Sequence, residues 1–306
     1  MSKLCRCGRG GLLTVLALAL LAGPAAAQEL EPGAYWPLPR GLNILTFVNS
    51  INFGDLNFDP SLPIEDASAT INTTVVAYTR GMALAGRSAN VSMQLPVVAG
   101  HLEGLYRQQQ VDVGRFGQAD PRFRLGLNLY GAPAMTPRDF ATYQLKTIVG
   151  VSVTVAPPLG QYKNTQLVNV GANRWSVKTE VGFSHAIGLW MVELMGGVWM
   201  FTDNTDFSGG RTREQDPIAS AQVHITYRPR RNIWFAGDAN FYRGGRTTVG
   251  GNQSLDLQKN ARLGGTFSAA LTRSHSLRVA VSRGAYTTIG GDFTSIIAGY
   301  NYAWLR

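Results

Sequence analysis

Residues 173–202 alternate apolar and polar side chains over two stretches too long for an ordinary globular hairpin. Trp175, Val177, Thr179, Val181 and Phe183 interleave with Ser176, Lys178, Glu180, Gly182 and Ser184, the two-residue period that sends one set to each face of a strand. Ala186-Ile187-Gly188 reverses the chain. Trp190, Val192, Leu194, Val198 and Met200 then alternate with Met191, Glu193, Met195 and Gly197. Strands of globular proteins usually run to roughly 5–6 residues. A strand that crosses a bilayer needs about 9–11 residues, one apolar face and a short turn on one side of the membrane. A long hairpin in a soluble sandwich is the competing reading of this stretch alone.

Residues 1–27 have the form of a signal peptide. Lys3, Arg6 and Arg9 precede an apolar run over 12–21, and Ala25-Ala26-Ala27 ends in a small-residue cleavage site before Gln28. The run is too short to span a bilayer as a helix. The mature domain is expected to cover 28–306, with an irregular lead over 28–40. Cys5 and Cys7 are the only cysteines and fall in the segment to be removed, so neither a disulfide framework nor a thiolate metal site is expected.

The chain has 45% hydrophobic residues and, beyond the signal segment, no further apolar run of helix-spanning length. That excludes a polytopic helical membrane protein and leaves a β-barrel open, because alternating faces average to neutral hydropathy. Of the 28 basic and 19 acidic residues, three basic ones lie in the signal segment, so the mature chain carries 25 − 19 = +6. Those charges are scattered rather than clustered with aromatics, which together with export argues against a nucleic-acid partner. Anionic lipopolysaccharide or an anionic solute suits the sign better.

The same alternation predicts about twelve strands. They fall at 42–53, 70–84, 88–98, 120–130, 142–155, the two hairpin arms, 218–227, 233–242, 258–271, 277–282 and 292–305. The intervening segments alternate in length. Long ones are expected at 54–69, 100–119, 157–171, 203–217, 243–257 and 284–291, and tight returns between them. An even strand number with short turns at one end and long loops at the other belongs to transmembrane barrels. The predicted fold is therefore all-β: a closed antiparallel transmembrane β-barrel in the outer membrane of a Gram-negative bacterium. A second domain is not expected.

Several stretches resemble one known family. They are Glu31-Pro32-Gly33-Ala34-Tyr35-Trp36-Pro37-Leu38-Pro39, Gly160-Gln161-Tyr162, Asn169-Val170-Gly171-Ala172-Asn173-Arg174-Trp175, Asp203-Asn204-Thr205-Asp206-Phe207, Gln215-Asp216-Pro217-Ile218, and Trp234 through Gly245 with Asp238 and Tyr242. Together they look like the MetA-pathway of phenol degradation family, over nearly all of the mature chain. The resemblance implies an outer-membrane channel-like protein associated with breakdown of aromatic or other hydrophobic compounds, without catalytic residues. One departure is the carboxyl end, Trp304-Leu305-Arg306, where outer-membrane barrels commonly finish on an aromatic residue.

By the alternation, Arg122, Arg124, Lys146, Lys178, Glu180, Glu193, His224, Asp238 and Arg262 are expected to point into the lumen, since Arg or Lys facing lipid at mid-depth costs about 2–4 kcal/mol. They either pair with one another and fill a narrow barrel, or form a basic constriction that selects carboxylated aromatic solutes. The four histidines lack ligand spacing, and neither a metal nor a cofactor is expected. Ser184-His185 and Ser274-His275-Ser276 raise a barrel lipase as an alternative. Adjacent strand residues point to opposite faces, however, and a nucleophile and base must lie within hydrogen-bond reach. A structural or adhesive barrel is the other alternative. The expectation is a monomeric, non-enzymatic, passive channel for small hydrophobic or aromatic molecules, with outer-membrane lipid and lipopolysaccharide around it.

Overall fold

The computed structural model describes residues 31–58, 64–166 and 168–305; the expected signal peptide lies outside them. In chain order the elements are β1 (Leu42–Asn57), β2 (Ile64–Leu84), β3 (Arg87–Tyr106), β4 (Gln109–Gln118), β5 (Arg122–Tyr130), α1 (Pro137–Thr142), β6 (Ile148–Ala156), β7 (Ser176–Ile187) and β8 (Trp190–Phe201). There follow β9 (Asn204–Phe207), β10 (Arg211–Gln215), β11 (Ile218–Arg230), β12 (Ile233–Gly244), β13 (Thr247–Val249), β14 (Asn252–Gln253), β15 (Gln258–Ala270), β16 (His275–Thr287) and β17 (Gly290–Leu305).

Twelve strands close into an antiparallel barrel. Around the ring the order is β2-β1-β17-β16-β15-β12-β11-β8-β7-β6-β5-β3, and β2 pairs with β3 to complete it. The first and last strands pair along their whole length, from Leu42 opposite Leu305 to Asn57 opposite Gly290. Closure is what lipid requires, because an unpaired backbone group in hydrocarbon costs several kcal/mol. Beyond the ring, β4 folds back on the upper half of β3, and β9, β10, β13 and β14 form a separate four-stranded sheet at the outer mouth.

The two faces of the wall invert the pattern of a soluble protein, in which charged side chains lie outside. On β7, Val181 is 56% exposed while Lys178 and Glu180 are 6% and 5% exposed. Phe47, Leu125, Leu194, Ile225, Phe267 and Val279 join Val181 on the outer surface, where acyl chains rather than water meet them. Near the short turns the same surface carries an aromatic girdle: Trp190 lies against Tyr227, and Tyr302 stacks on Trp304, which in turn touches Tyr78. That is where aromatic rings meet the headgroup layer.

Several expected boundaries move. The segments predicted as loops at 54–69, 100–119 and 284–291 are largely strand. Above the membrane no lipid enforces an apolar outer face, so alternation fades while backbone pairing continues. The segments 203–217 and 243–257 hold the four short strands of the second sheet for the same reason. The fifth wall strand starts at Ile148 instead of 142, and α1 precedes it. Thr136, Pro137 and Asp139 build a capping box with proline in the first turn, a helix-start signal that outranks strand propensity. The length rhythm is also broken twice. Residues 131–147 carry α1 on the short-turn side, and β16 returns to β17 through 288–289 on the other.

Replacing Val181 by Arg should destabilise the barrel by about 2–4 kcal/mol in urea unfolding from phospholipid vesicles, because the guanidinium enters the lipid belt at mid-strand. Val181→Thr should cost much less.

Candidate functional site

The lumen is not an open tube. Residues 31–39, which precede β1, turn back inside the barrel and make polar contacts with five wall strands, among them β3, where Ser88 Oγ accepts from the Leu38 N–H (3.2 Å). The Glu31 N–H donates to Gln222 Oε1 (3.4 Å) on β11, and the Gly33 N–H donates to Glu193 Oε2 (3.1 Å) on β8. The Tyr35 hydroxyl shares a hydrogen bond with Ser152 Oγ (3.0 Å) on β6 and donates to Glu180 Oε1 (3.1 Å) on β7. Burial, and after it the Glu180 carboxylate, push the Tyr35 phenol above its ordinary range, so the hydroxyl keeps its proton.

The seat for Tyr35 is made by two glycines. Gly150 and Gly182 are direct cross-strand partners on the inner faces of β6 and β7, and a Cβ on either would collide with the Tyr35 ring. Arg124 lies over that ring, 5.3 Å from its centroid. Further along, Trp36 meets Trp234 edge to face at 5.7 Å, with Arg228 over Trp36 and Arg278 over Trp234. Aromatic and guanidinium stacking of this kind contributes roughly 0.5–2 kcal/mol per contact.

Of the expected lumen residues, Lys178, Glu180, Glu193, His224, Asp238 and Arg262 are buried on the inner face, and Arg122 and Arg124 are half-buried on the same face of β5. Lys146 is not among them. It sits exposed in the connection between α1 and β6, because the strand assumed to carry it starts later. Several of the interior polar groups meet in close pairs. Lys178 Nζ meets Glu180 Oε2 at 2.6 Å, and His224 Nδ1 meets Asp238 Oδ1 at 2.6 Å. The Thr266 hydroxyl donates to Asp238 Oδ2 (2.6 Å), and Arg262 Nη2 donates to Ser295 Oγ (2.7 Å) and the Phe293 carbonyl (2.9 Å). Beside the lead, Arg122, Arg124 and Lys178 gather with Glu31 and Glu180 around a residual cavity of about 10 Å³, room for about one water. The lead and these side chains together occupy the lumen at this level.

Two participants went unnoticed in the sequence. Arg278 lies between Leu277 and Val279, whose outward faces already implied that it turns inward. Tyr35 stood in the distinctive proline-rich lead, but nothing there pointed into the lumen; the pair of inward glycines that leave a ring-shaped gap was the signal for its place. The Ser–His stretches do not form dyads. Ser184 faces Glu193 inside while His185 bonds Thr147 outside, and His275 bonds Tyr300. His101, expected in a loop, lies on β3 next to Glu103 (2.9 Å) and Asp112 (3.4 Å), all three exposed.

The other distinctive stretches converge on a cap at the outer mouth. Asp120 accepts from the N–H groups of Gly160 and Ala172, both at 2.8 Å. The backbones of Gly160 and Gly171 touch so closely that a Cβ on either would collide with the other. Asn173 donates to Asn204, and Asn204 donates to the Tyr162 hydroxyl and the Ala172 carbonyl. Arg174 packs over Phe201, 4.4 Å from the ring centroid, and donates to Gln215. Burial raises the Asp120 carboxyl above its usual range, holds Arg174 well below its own, and brings Arg213 down to about 10. The cap is therefore a desolvated polar core, stable only while its members remain paired.

Tyr35→Ala should raise single-channel conductance in planar bilayers several-fold over the wild-type protein. Gly182→Val, which removes the seat and leaves Tyr35 in place, should do the same. Asp120→Ala leaves two backbone donors without an acceptor, and should make residues 157–172 the first site cut by limited proteolysis while the barrel stays folded.

Comparison with known proteins agrees with this geometry. No curated protein matched the chain significantly. Among solved structures, the COG4313 outer membrane channel from Pseudomonas putida F1 superposes with a TM-score of 0.75 at 21% identity, covering 90% of this chain and 100% of that one. The transport unit of the autotransporter AIDA-I from Escherichia coli gives 0.53 at 6% identity, with 94% and 96% covered. Both likenesses concern the fold, that of an outer-membrane barrel. Residues 53–304 match the family model described as putative MetA-pathway of phenol degradation, and the chain belongs to that family.

Proposed function

We propose that the protein is a monomeric, passive outer-membrane channel for small hydrophobic or aromatic compounds, held shut at rest by its own amino-terminal lead. The observation that carries this reading is the nature of the obstruction. The wall encloses a polar lumen, as water-filled barrels do, and what occupies it is residues 31–39, a segment outside the wall held by a few hydrogen bonds and ring contacts. Such bonds are worth about 0.5–1.5 kcal/mol net each, or about 1.5–3 kcal/mol where a carboxylate accepts, and none of them belongs to the ladders of the wall, so withdrawing the segment leaves the barrel's backbone pairing untouched. The family description, phenol degradation, supports an aromatic solute. Arg122, Arg124 and Lys178 beside the lead suit a solute bearing a carboxylate or phenolate.

Transport on this reading runs down a gradient, and the protein performs no chemistry on what it passes. Its partners are the solute and the lipid and lipopolysaccharide that surround the apolar belt. Vesicles with lipopolysaccharide in the outer leaflet should take up radiolabelled benzoate and phenol several-fold faster with the protein than without it. The rate should not depend on membrane potential when phenol, the neutral solute, is used. Equal rates in loaded and empty vesicles, for the wild-type protein and for Tyr35→Ala alike, would refute the channel reading.

A further inference from the structure

Where β1 to β4 rise above the membrane, the lumen-facing side of the wall changes chemistry. Lower down that side carries Asn52, Ser295 and Arg262, linked by hydrogen bonds. Above them Leu56, Ala69, Leu102, Val168 and Phe293 pack into an apolar cluster, with Phe58, Ala67, Ile71 and Val113 against it. The packing does not fill the space. It leaves an open recess of about 60 Å³, lined chiefly by Ile64, Ala67, Leu102, Leu105, Tyr106 and Val111, with Glu103 the one charged group among the described lining residues.

The walls are fixed before any ligand arrives. Leu102 pairs with Val113 and Gly104 with Val111 across the β3–β4 hairpin. Gln108 Nε2 donates to Glu65 Oε2 (3.2 Å), tying the hairpin tip to β2, and Arg115 Nε donates to the Val168 carbonyl (2.7 Å), holding the back wall. The floor is kept low by two small residues. Gly104 and Ala67 both line it, and a Cβ on Gly104 would stand 3.2 Å from Ala67.

An apolar concavity left open to water costs free energy in proportion to its area. Sites for small molecules are concave and mostly apolar, and a volume of about 60 Å³ takes the place of only a few waters, which limits the ligand to a single small ring. This recess has almost no hydrogen-bonding equipment, which disfavours sugars, peptides and free anions. We propose that it binds one small uncharged aromatic molecule, and is the point of capture above the lumen. Its purpose rests on the channel reading; binding itself does not.

Full-length protein refolded in detergent is titrated with fluorobenzene and followed by fluorine NMR, with empty micelles as the blank. Saturable binding is expected, weakened at least tenfold both by Ala67→Phe, which fills the hollow, and by Val111→Lys, which places a charge at its mouth. Excess benzoate should not displace the probe. Heat-modifiable gel mobility reports that each variant is folded, and the exposed Val111 site keeps the test decisive if Ala67→Phe does not fold. Absence of saturable binding, or unchanged affinity in the folded variants, overturns the proposal. Vesicle uptake on the same preparations separates the two ideas. Uptake with variants that bind as wild type removes the recess and keeps the channel. Variant-sensitive binding without any uptake keeps the recess and removes the channel.

Discussion

The pairing of β1 with β17 is the interaction on which the rest of the structure depends. In hydrocarbon an open sheet edge has no water to satisfy its N–H and C=O groups, so the chain's two ends must meet. They do so over the whole of both strands, Leu42 to Asn57 against Gly290 to Leu305. Once the ring is closed, the direction of every other side chain is set by parity. Odd positions on β7 meet lipid and even ones meet the interior, which is why Lys178, Glu180 and Ser184 are buried while Val181 and Phe183 are not.

Closure creates a second problem. A narrow cylinder takes its inward charges out of bulk water, and an unpaired buried charge costs several kcal/mol. The structure answers with short pairs along the inner face, Lys178 with Glu180 and His224 with Asp238, and with the lead, whose N–H groups and Tyr35 hydroxyl meet Glu193, Gln222 and Glu180. The stopper thus also stabilises the inner face. Its weakness relative to the wall follows from the kind of bond each uses. The wall is held by long ladders, and the lead by isolated polar contacts and a few rings.

The parts of the fold that the sequence made legible are those where lipid imposes a two-residue period. The strand positions and inner faces of β5, β7, β8, β11, β12 and β15 were readable because acyl chains punish any break in alternation. Legibility stopped where that pressure stops. The upper halves of β2 and β3, the whole of β4 and the outer sheet lie beyond the lipid, and their residues pair as strands without showing it. The helix α1 was spelled out by Thr136, Pro137 and Asp139 and was masked by the alternating run after it, which carried Lys146 with it into the wrong place. The distinctive stretches of the lead and the outer loops stood out as words before their meeting place was visible, because Asn173 and Asn204, or Asp120 and Gly160, are brought together only by the barrel's circumference.

By itself, the sequence determined the class of molecule: a closed antiparallel barrel with an oily outside and a charged inside. Alternation over strands of that length has no other low-energy solution once the chain meets a bilayer. Only the tertiary structure decided that the lumen is occupied, and by which segment. Tyr35 finds its seat between Gly150 and Gly182 because β6 and β7 lie side by side at one register, and no local pattern near residue 35 encodes a gap left by two glycines more than a hundred residues away.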